Sequence, residues 1–296
     1  MIYDFRSDTV TKPDDGMRDA MKNAIVGDDV YEDDPTVKML EEKIADLLGK
    51  ENGIFVSSGT QSNLIAILSH SKRGEEFISG DIYHSICDEA GGAAVLGSVV
   101  PCALPTNSNG SISLEVIKNA IKSDDIHNPV TSLLCLENTV RGRIQTTNHL
   151  KKLSNYAHDK QLFTHLDGAR LMNAVIESEE DIKEFTSSFD SVSLCLSKGL
   201  GAPVGSVLVG SKEFIKSARR LRKILGGGMR QVGVLASACI YAIENNVNRL
   251  KKDHELAKIF ANHISQIPEI IVNSNEVETN MVYIKLPESI SLGLQD

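Results

Sequence analysis

The sequence contains no tryptophan, and only 5% of its 296 residues are aromatic. Because single-stranded nucleic acids are commonly bound by stacking bases on aromatic rings, this scarcity argues against such a partner. Acidic residues outnumber lysines and arginines by 40 to 31, which gives a formal net charge of −9. Binding to DNA or RNA depends on basic side chains that neutralise phosphates, so we expect no nucleic-acid partner. The basic run at 216–223 is typical of a solvated helix face.

The sequence also lacks a CxxC pair. Its five cysteines are odd in number and have no metal-type spacing, which predicts small core residues in a reducing compartment and no metal site. Residues 1–15 carry charges and contain no apolar run, so we expect neither a signal peptide nor a membrane span. These features predict a cytoplasmic protein without a membrane partner.

Short apolar runs alternate with helical patterns along most of the chain. This alternation is typical of an α/β fold with a mainly parallel sheet covered by helices. The strand-like runs are GIFVSSGT, FIS, SVVPCAL, TSLLCLEN, LFTHLDGAR, SVSLCLSKG and GSVLVG. The chain becomes helical after about Lys212, and a strand-like TNMVYIKL (Thr279–Leu286) follows. We predict a large domain at residues 1–245 and a partial, shortened α/β domain at residues 246–296.

Three segments place polar residues where predicted strands end. Ser57–Thr60 opens a helix, where free backbone N–H groups bind phosphate, although Ser and Thr are also ordinary helix caps. Asp167 follows FTHL and needs a basic partner, which is either Arg170 or a protonated ring nitrogen. Lys198 follows SVSLCLS, where it either extends to water or forms a covalent bond through its amine.

Together these segments supply a phosphate site, a carboxylate for a pyridinium nitrogen and a reactive lysine, which are the requirements of pyridoxal phosphate. A dinucleotide-binding site is not indicated, because GGGMR at 226–230 follows a helical pattern rather than a strand.

Longer segments extend this interpretation. The chain resembles the low-specificity L-threonine aldolases, a family of fold-type-I pyridoxal-phosphate enzymes, from its amino terminus to about Lys285. The similar segments are FRSDTVTKP, VGDDVY with DPT, VSSGTQSN, IHNPVTSLLCLEN, HLDGAR, LCLSKGLGAPVGSVLVG and LGGGMRQVGVLA. The resemblance implies a carbon–carbon lyase that cleaves threonine or allo-threonine to glycine and acetaldehyde, as a homodimer or homotetramer with shared active sites.

The resemblance also assigns roles to individual residues. Lys198 corresponds to the lysine that holds the cofactor, Asp167 to the partner of its ring nitrogen, and His84 to a histidine stacked on the ring. His127 corresponds to a histidine near the substrate hydroxyl, a candidate for proton transfer. The remaining cofactor and substrate residues implied are Ser58, Gly59, Thr60, Lys223, Arg230, Arg170 and Ser7, of which Ser7 and Arg170 bind the substrate carboxylate.

Three departures from the family pattern stand out. Glu32 replaces a glycine after Tyr31, and Val140 and Arg141 replace a His-Asn pair. Family members also continue through a further α/β stretch that contains an arginine for the substrate carboxylate, so we expect a less complete substrate site here. Two alternatives remain open: another fold-type-I activity, such as a transaminase or β-lyase, and a truncated cofactor-binding paralogue with little activity.

Overall fold

A computed structural model of the chain describes residues 4–287. Its centre is a seven-stranded sheet in the order β1-β7-β6-β5-β4-β2-β3. The strands are β1 Asn52–Val56, β2 Glu76–Gly80, β3 Val100–Leu104, β4 Thr131–Glu137, β5 Phe163–Gly168, β6 Ser191–Cys195 and β7 Ser206–Gly210. The seven strand-like runs predicted before Lys212 are therefore confirmed, as is the mainly parallel sheet.

Strand β7 is the exception to the parallel arrangement. It pairs antiparallel with both β1 and β6, whereas the other neighbouring strands are parallel. Because β7 alone is inverted, β1 still runs in the same direction as β6. The carboxyl ends of β1, β4, β5 and β6 therefore lie at one edge of the sheet.

Helices cover both faces of this sheet. The helices are α1 Asp15–Lys22, α2 Pro35–Leu47, α3 Gly59–His70, α4 His84–Cys87, α5 Gly92–Gly97, α6 Leu114–Ala120, α7 Thr147–Asp159, α8 Leu171–Ser178, α9 Ile182–Thr186, α10 Lys212–Ile224, α11 Gly233–Asn245 and α12 Leu250–Ile264. Every residue of β2, β6 and β7 is buried, as a strand covered on both faces requires. No helix in the described part of the chain is long and apolar enough to span a membrane.

Polar side chains cap the amino-terminal ends of several helices and so fix the residue at which each helix begins. Asp34 accepts hydrogen bonds from the backbone N–H groups of Thr36 and Val37, and Pro35 occupies the first turn of α2. Ser58 caps α3 by accepting from the N–H of Gln61 at 3.1 Å. The first turn of α3 is thereby fixed directly after β1.

The carboxyl-terminal part of the described chain differs from the sequence-based expectation. Helix α12 is present, but the strand predicted at Thr279–Leu286 is wrong: this segment forms only one isolated bridge, between Ile271 and Lys285. Helix α12 also contacts the large part of the molecule, since Asn173 Nδ2 and His254 Nε2 lie 3.1 Å apart. The division at residues 245 and 246 stays a prediction.

Candidate active site

The parallel strands bring several predicted residues to one edge of the sheet. Glu137, the last residue of β4, lies directly opposite Asp167 on β5 in the strand register. Lys198 follows the end of β6, the next strand along. Ser58 reaches the same edge because β1 runs parallel to β6. Open α/β sheets bind their ligands at the carboxyl ends of the strands, so this edge is the candidate active site.

The carboxylate of Asp167 is 5% exposed and is held by two hydrogen bonds. Its Oδ1 accepts from the N–H of Ala169 at 2.9 Å, and its Oδ2 accepts from Asn63 Nδ2 at 2.7 Å. A buried carboxylate with two fixed donors keeps a defined orientation. Arg170, which the sequence offered as a possible ion-pair partner of Asp167, binds Asp8 instead.

Asn63 also donates to a second carboxylate, which joins Asp167 to His84. Asn63 Nδ2 lies 2.7 Å from Glu89 Oε1, and the same oxygen lies 2.9 Å from His84 Nδ1. The backbone N–H of His84 donates to Glu137 Oε2 at 2.7 Å. One ring nitrogen of His84 and one carboxylate oxygen each of Glu89 and Asp167 lie within 4.8 Å of one another. The hydrogen bonds that Asn63 donates to both carboxylates account for this spacing.

Burial and mutual repulsion shift the titration of these groups. Burial, followed by the nearby charge of Asp167, raises the pKa of Glu137 to about 8. Burial also raises the pKa of Glu89, against the hydrogen bond from His84. The pKa of His84 is raised, chiefly by that hydrogen bond to Glu89. Strongly perturbed groups clustered at a sheet edge are typical of an active site.

The amine of Lys198 has no hydrogen-bond or ion-pair partner among residues 4–287, whereas its backbone is firmly held. Its carbonyl accepts from Thr11 Oγ1 at 2.8 Å and from the N–H of Gly201 at 2.9 Å. Gly201 has a φ of +85°, a conformation that favours glycine and closes the turn beneath the lysine. An unpaired amine on a fixed backbone is available to react with a carbonyl group.

The first turn of α3 lies against the end of β6. A Cβ atom on Gly59 would stand 2.6 Å from Cys195 Sγ, so only glycine permits this approach. The N–H groups of Gly59 and Thr60 have no intrahelical acceptor, because they lie in the first turn. The helix end therefore offers phosphate-binding donors beside the strand that precedes Lys198.

Arg170 binds Asp8 instead of Asp167. Its Nε and Nη2 donate to the two carboxylate oxygens of Asp8 at 3.0 and 2.7 Å. Burial opposes ionisation of Asp8, yet the hydrogen bonds from Arg170 leave the pKa of this carboxyl below its usual value. Arg170 Nη1 remains without a hydrogen-bond partner in the described region. Arg170 and Ser7 line a cleft of about 500 Å³ between the amino-terminal segment, α12 and residues 280–283.

The structure does not bring three predicted residues into this cluster within one chain. His127 lies before β4, at the opposite end of the sheet, with its side chain 83% exposed and bonded to Asp125. Arg230 pairs with Asp28 and is 55% exposed. Lys223 lies near the end of α10, close to Gly228. Their roles at the site stay predictions.

Two of the residues that depart from the family pattern, Glu32 and Arg141, have the positive φ of the left-handed backbone conformation. Glu32 has a φ of +58°, which explains why a glycine suits this position. Arg141 and Gly142 have φ values of +48° and +80° in a two-residue turn closed by reciprocal backbone hydrogen bonds between Val140 and Arg143.

Sequence reasoning missed Asn63, Glu89 and Glu137. Glu137 ends an apolar run in the same way as Asp167, so its place at the carboxyl end of a strand could have been predicted from the sequence. Asn63 is a polar residue in the middle of the α3 pattern, and Glu89 lies in a loop. Neither shows its burial until the tertiary structure brings it beside Asp167.

Comparison with known proteins supports the resemblance found in the sequence. A family model described as Beta-eliminating lyase matches residues 4–287. The low-specificity L-threonine aldolase of Escherichia coli is 47% identical over 293 residues, which cover 99% of this chain and 87% of that protein. A probable low-specificity L-threonine aldolase of Arabidopsis thaliana is 46% identical over 299 residues, covering 99% of this chain and 84% of its own.

A solved structure shows the same fold at lower identity. The threonine aldolase of Leishmania major superposes with a TM-score of 0.80 at 23% identity, covering 92% of this chain and 81% of its own. At this identity the likeness establishes the architecture: a mainly parallel seven-stranded sheet covered by helices.

Proposed function

The chain belongs to the beta-eliminating lyase family, where it groups with the low-specificity L-threonine aldolases, and from this premise we propose that it cleaves L-threonine and L-allo-threonine to glycine and acetaldehyde. The proposed cofactor is pyridoxal 5′-phosphate. The observation that carries the proposal is the unpaired amine of Lys198 at the end of β6, one strand away from the buried carboxylate of Asp167.

The functional groups at this edge of the sheet fit the proposed cofactor. The first turn of α3, with Ser58, Gly59 and Thr60, suits a phosphate group. Asp167 suits a protonated ring nitrogen, and Lys198 suits the aldehyde. When bound, the cofactor supplies an electron sink for the bond-breaking step.

The protein's own contribution is binding, orientation and proton placement. Asp167 would hold a protonated ring nitrogen, because two hydrogen bonds, from the N–H of Ala169 and from Asn63 Nδ2, fix the orientation of its carboxylate. His84 is proposed to cover the ring, with its position set by Glu89. Ser7 and the free Nη1 of Arg170 are proposed to bind the substrate carboxylate, since charged hydrogen bonds orient as well as attract.

We also propose that the active enzyme is a homo-oligomer with shared sites, either a dimer or a tetramer. The exposed positions of Arg230 and His127, and the place of Lys223 near the end of α10, support this proposal. A second chain would have to supply His127 to a site, because within one chain it lies at the far end of the sheet. The cytoplasmic location stays a prediction.

Product analysis tests the reaction directly. Purified protein loaded with pyridoxal phosphate should release glycine and acetaldehyde in equal amounts from L-threonine and L-allo-threonine. A transaminase would instead require a 2-oxo acid, and a β-lyase would release ammonia. Amino-acid consumption without acetaldehyde would therefore contradict the proposal.

Variants test the two central residues. Lys198→Ala should lose the visible absorbance of the bound cofactor, whereas Lys72→Ala, an exposed control, should keep it. Borohydride reduction and peptide mapping should label Lys198 and no other lysine. Asp167→Ala should lower kcat sharply with little change in KM, because an unprotonated ring is a poor electron sink. A near-normal kcat would disprove that role.

A further inference from the structure

A continuous series of buried hydrogen bonds crosses the face of the sheet under α3 and ends at Asp167. His70 Nε2 lies 2.8 Å from Ser191 Oγ, which lies 2.8 Å from His165 Nδ1. His165 Nε2 lies 3.1 Å from Asn63 Oδ1, and Asn63 Nδ2 lies 2.7 Å from Asp167 Oδ2. None of these five residues is more than 9% exposed. Bulk water therefore cannot substitute for a missing partner along the series.

The direction of each hydrogen bond follows from the contacts of Asn63. Its Nδ2 lies 2.7 Å from both Asp167 Oδ2 and Glu89 Oε1. The opposite amide orientation would place its oxygen against two carboxylate oxygens, which only accept when ionised. Asn63 Nδ2 therefore donates to both, and Asn63 Oδ1 must accept from His165 Nε2.

The remaining protons follow because both histidines are neutral. Burial lowers the pKa of His165 to about 4 and that of His70 to about 3. A neutral imidazole has one N–H, so His165 carries it on Nε2 and must accept at Nδ1 from the Ser191 hydroxyl. That hydroxyl has a single proton, so His70 must donate to Ser191 from its own Nε2. Each hydrogen bond from His70 to Asp167 is thus donated in the direction of Asp167, and the second N–H of Asn63 Nδ2 donates to Glu89.

We propose that this one-way series of hydrogen bonds is a positioning device for Asp167, in which Ser191 and His165 lock the amide of Asn63 as a donor to the carboxylate. Ser191, His165 and Asn63 are positioning residues, since they act on the reaction only through Asp167. The catalytic consequence rests on the proposed function, whereas the direction of the hydrogen bonds does not depend on it.

Strand β6 offers a matched pair of variants. Ser191 and Ser193 are two residues apart, so they lie on the same face of the strand, and both are fully buried. The Oγ of Ser193 has no hydrogen-bond partner, whereas that of Ser191 joins two histidines. Ser191→Ala therefore breaks the series, and Ser193→Ala removes an equivalent atom without breaking it.

The first measurement uses cofactor-free, ¹⁵N-histidine-labelled protein at neutral pH. Long-range ¹H–¹⁵N correlation spectra should show the proton of both His70 and His165 on Nε2 in the unmodified protein. They should show the same in Ser193→Ala and a changed His165 signal in Ser191→Ala. A His165 proton on Nδ1 in the unmodified protein would overturn the proposal, even if no variant folds.

The second measurement uses the cofactor-loaded enzyme with L-threonine. Ser191→Ala should lower kcat by about fivefold at unchanged KM and cofactor content, the effect of losing one net hydrogen bond. Ser193→Ala should leave kcat unchanged. Equal kcat in the two variants would overturn the positioning role. A complete lack of threonine cleavage by the unmodified enzyme would contradict the proposed function instead, and would leave the histidine assignment standing.

Discussion

Glu137 provides a test of the electrostatics at the sheet edge that needs neither cofactor nor substrate. Its carboxyl lies opposite Asp167 and accepts a hydrogen bond from the N–H of His84. Burial and the charge of Asp167 raise its pKa from 4.5 to about 8. The folded protein therefore holds a proton on Glu137 over a pH range in which the unfolded chain has released it.

The sign and size of the effect follow from this shift. The stability that protonated Glu137 contributes is fully present below pH 4.5 and is lost as the pH rises through about 8. The rise of the Glu137 pKa from 4.5 to about 8 corresponds to a ceiling of about 5 kcal/mol. Relaxation of the protein around the buried carboxylate recovers part of this cost, so we expect about 2 kcal/mol for Glu137.

Glu137→Gln tests this expectation, because glutamine keeps an oxygen for His84 but never ionises. Urea unfolding of the cofactor-free protein should give similar free energies for the variant and the unmodified chain near pH 5. At pH 9 the variant should be more stable by about 2 kcal/mol. Glu115→Gln, which removes an exposed carboxylate paired with Lys118, should follow the unmodified chain at both pH values. Parallel stability curves for Glu137→Gln and the unmodified chain would refute the reasoning.

Three further substitutions test the packing and charge pairs around the site. Gly59→Ala should cost about 1–3 kcal/mol in unfolding free energy and weaken cofactor binding in a fluorescence titration, because its methyl group would meet Cys195 Sγ at 2.6 Å. Glu32→Gly should raise the free energy of unfolding by about 0.5–1 kcal/mol in urea, since it relieves a left-handed φ of +58°. Asp8→Asn should lower stability by about 2 kcal/mol in thermal unfolding and make it depend more on added carboxylate anions, because it leaves the partly buried charge of Arg170 unpaired.

Each of these three predictions has a control variant or an outcome that would contradict it. Gly92→Ala adds a methyl group that meets Leu64 at an ordinary 3.6 Å, so it should be milder than Gly59→Ala. A destabilised Glu32→Gly would mean that the ion pair with Arg219, at 3.6 Å, outweighs the backbone strain. Asp8→Asn with unchanged stability would show that Arg170 finds another partner.

The sequence predicted the parts of the site that depend on local pattern. Asp167 and Lys198 each follow an apolar run, and a parallel sheet brings the ends of such runs together. Asn63 and Glu89 were missed because their roles depend on contacts between α3, the loop after α4 and β5. A polar residue within an apolar run, such as His165 or Ser191, was the one signal of the buried hydrogen bonds.

The inverted strand was also missed, although a signal was present. An apolar run such as GSVLVG has no direction of its own. The connection at residues 196–205 is too short to contain the helix that a parallel crossover requires, so an antiparallel pairing of β6 with β7 followed from loop length alone. The strand predicted at Thr279–Leu286 was wrong because, within residues 4–287, this apolar segment pairs only through the isolated Ile271–Lys285 bridge.

The antiparallel β6–β7 pair also has a consequence for the order of folding. Lys198 lies in the loop of a hairpin whose strands pair from Cys195 with Ser206 to Ser191 with Gly210, so its surroundings form through contacts close in sequence. The pairing of β1 with β7 instead joins residues as far apart as Asn52 and Gly210, and such long closures are slow. We therefore expect hydrogen exchange during refolding to protect the β6–β7 hairpin before β1. The lysine loop would then form before the first turn of α3 reaches it, so the two groups proposed to hold the cofactor would come together only once β1 has paired with β7.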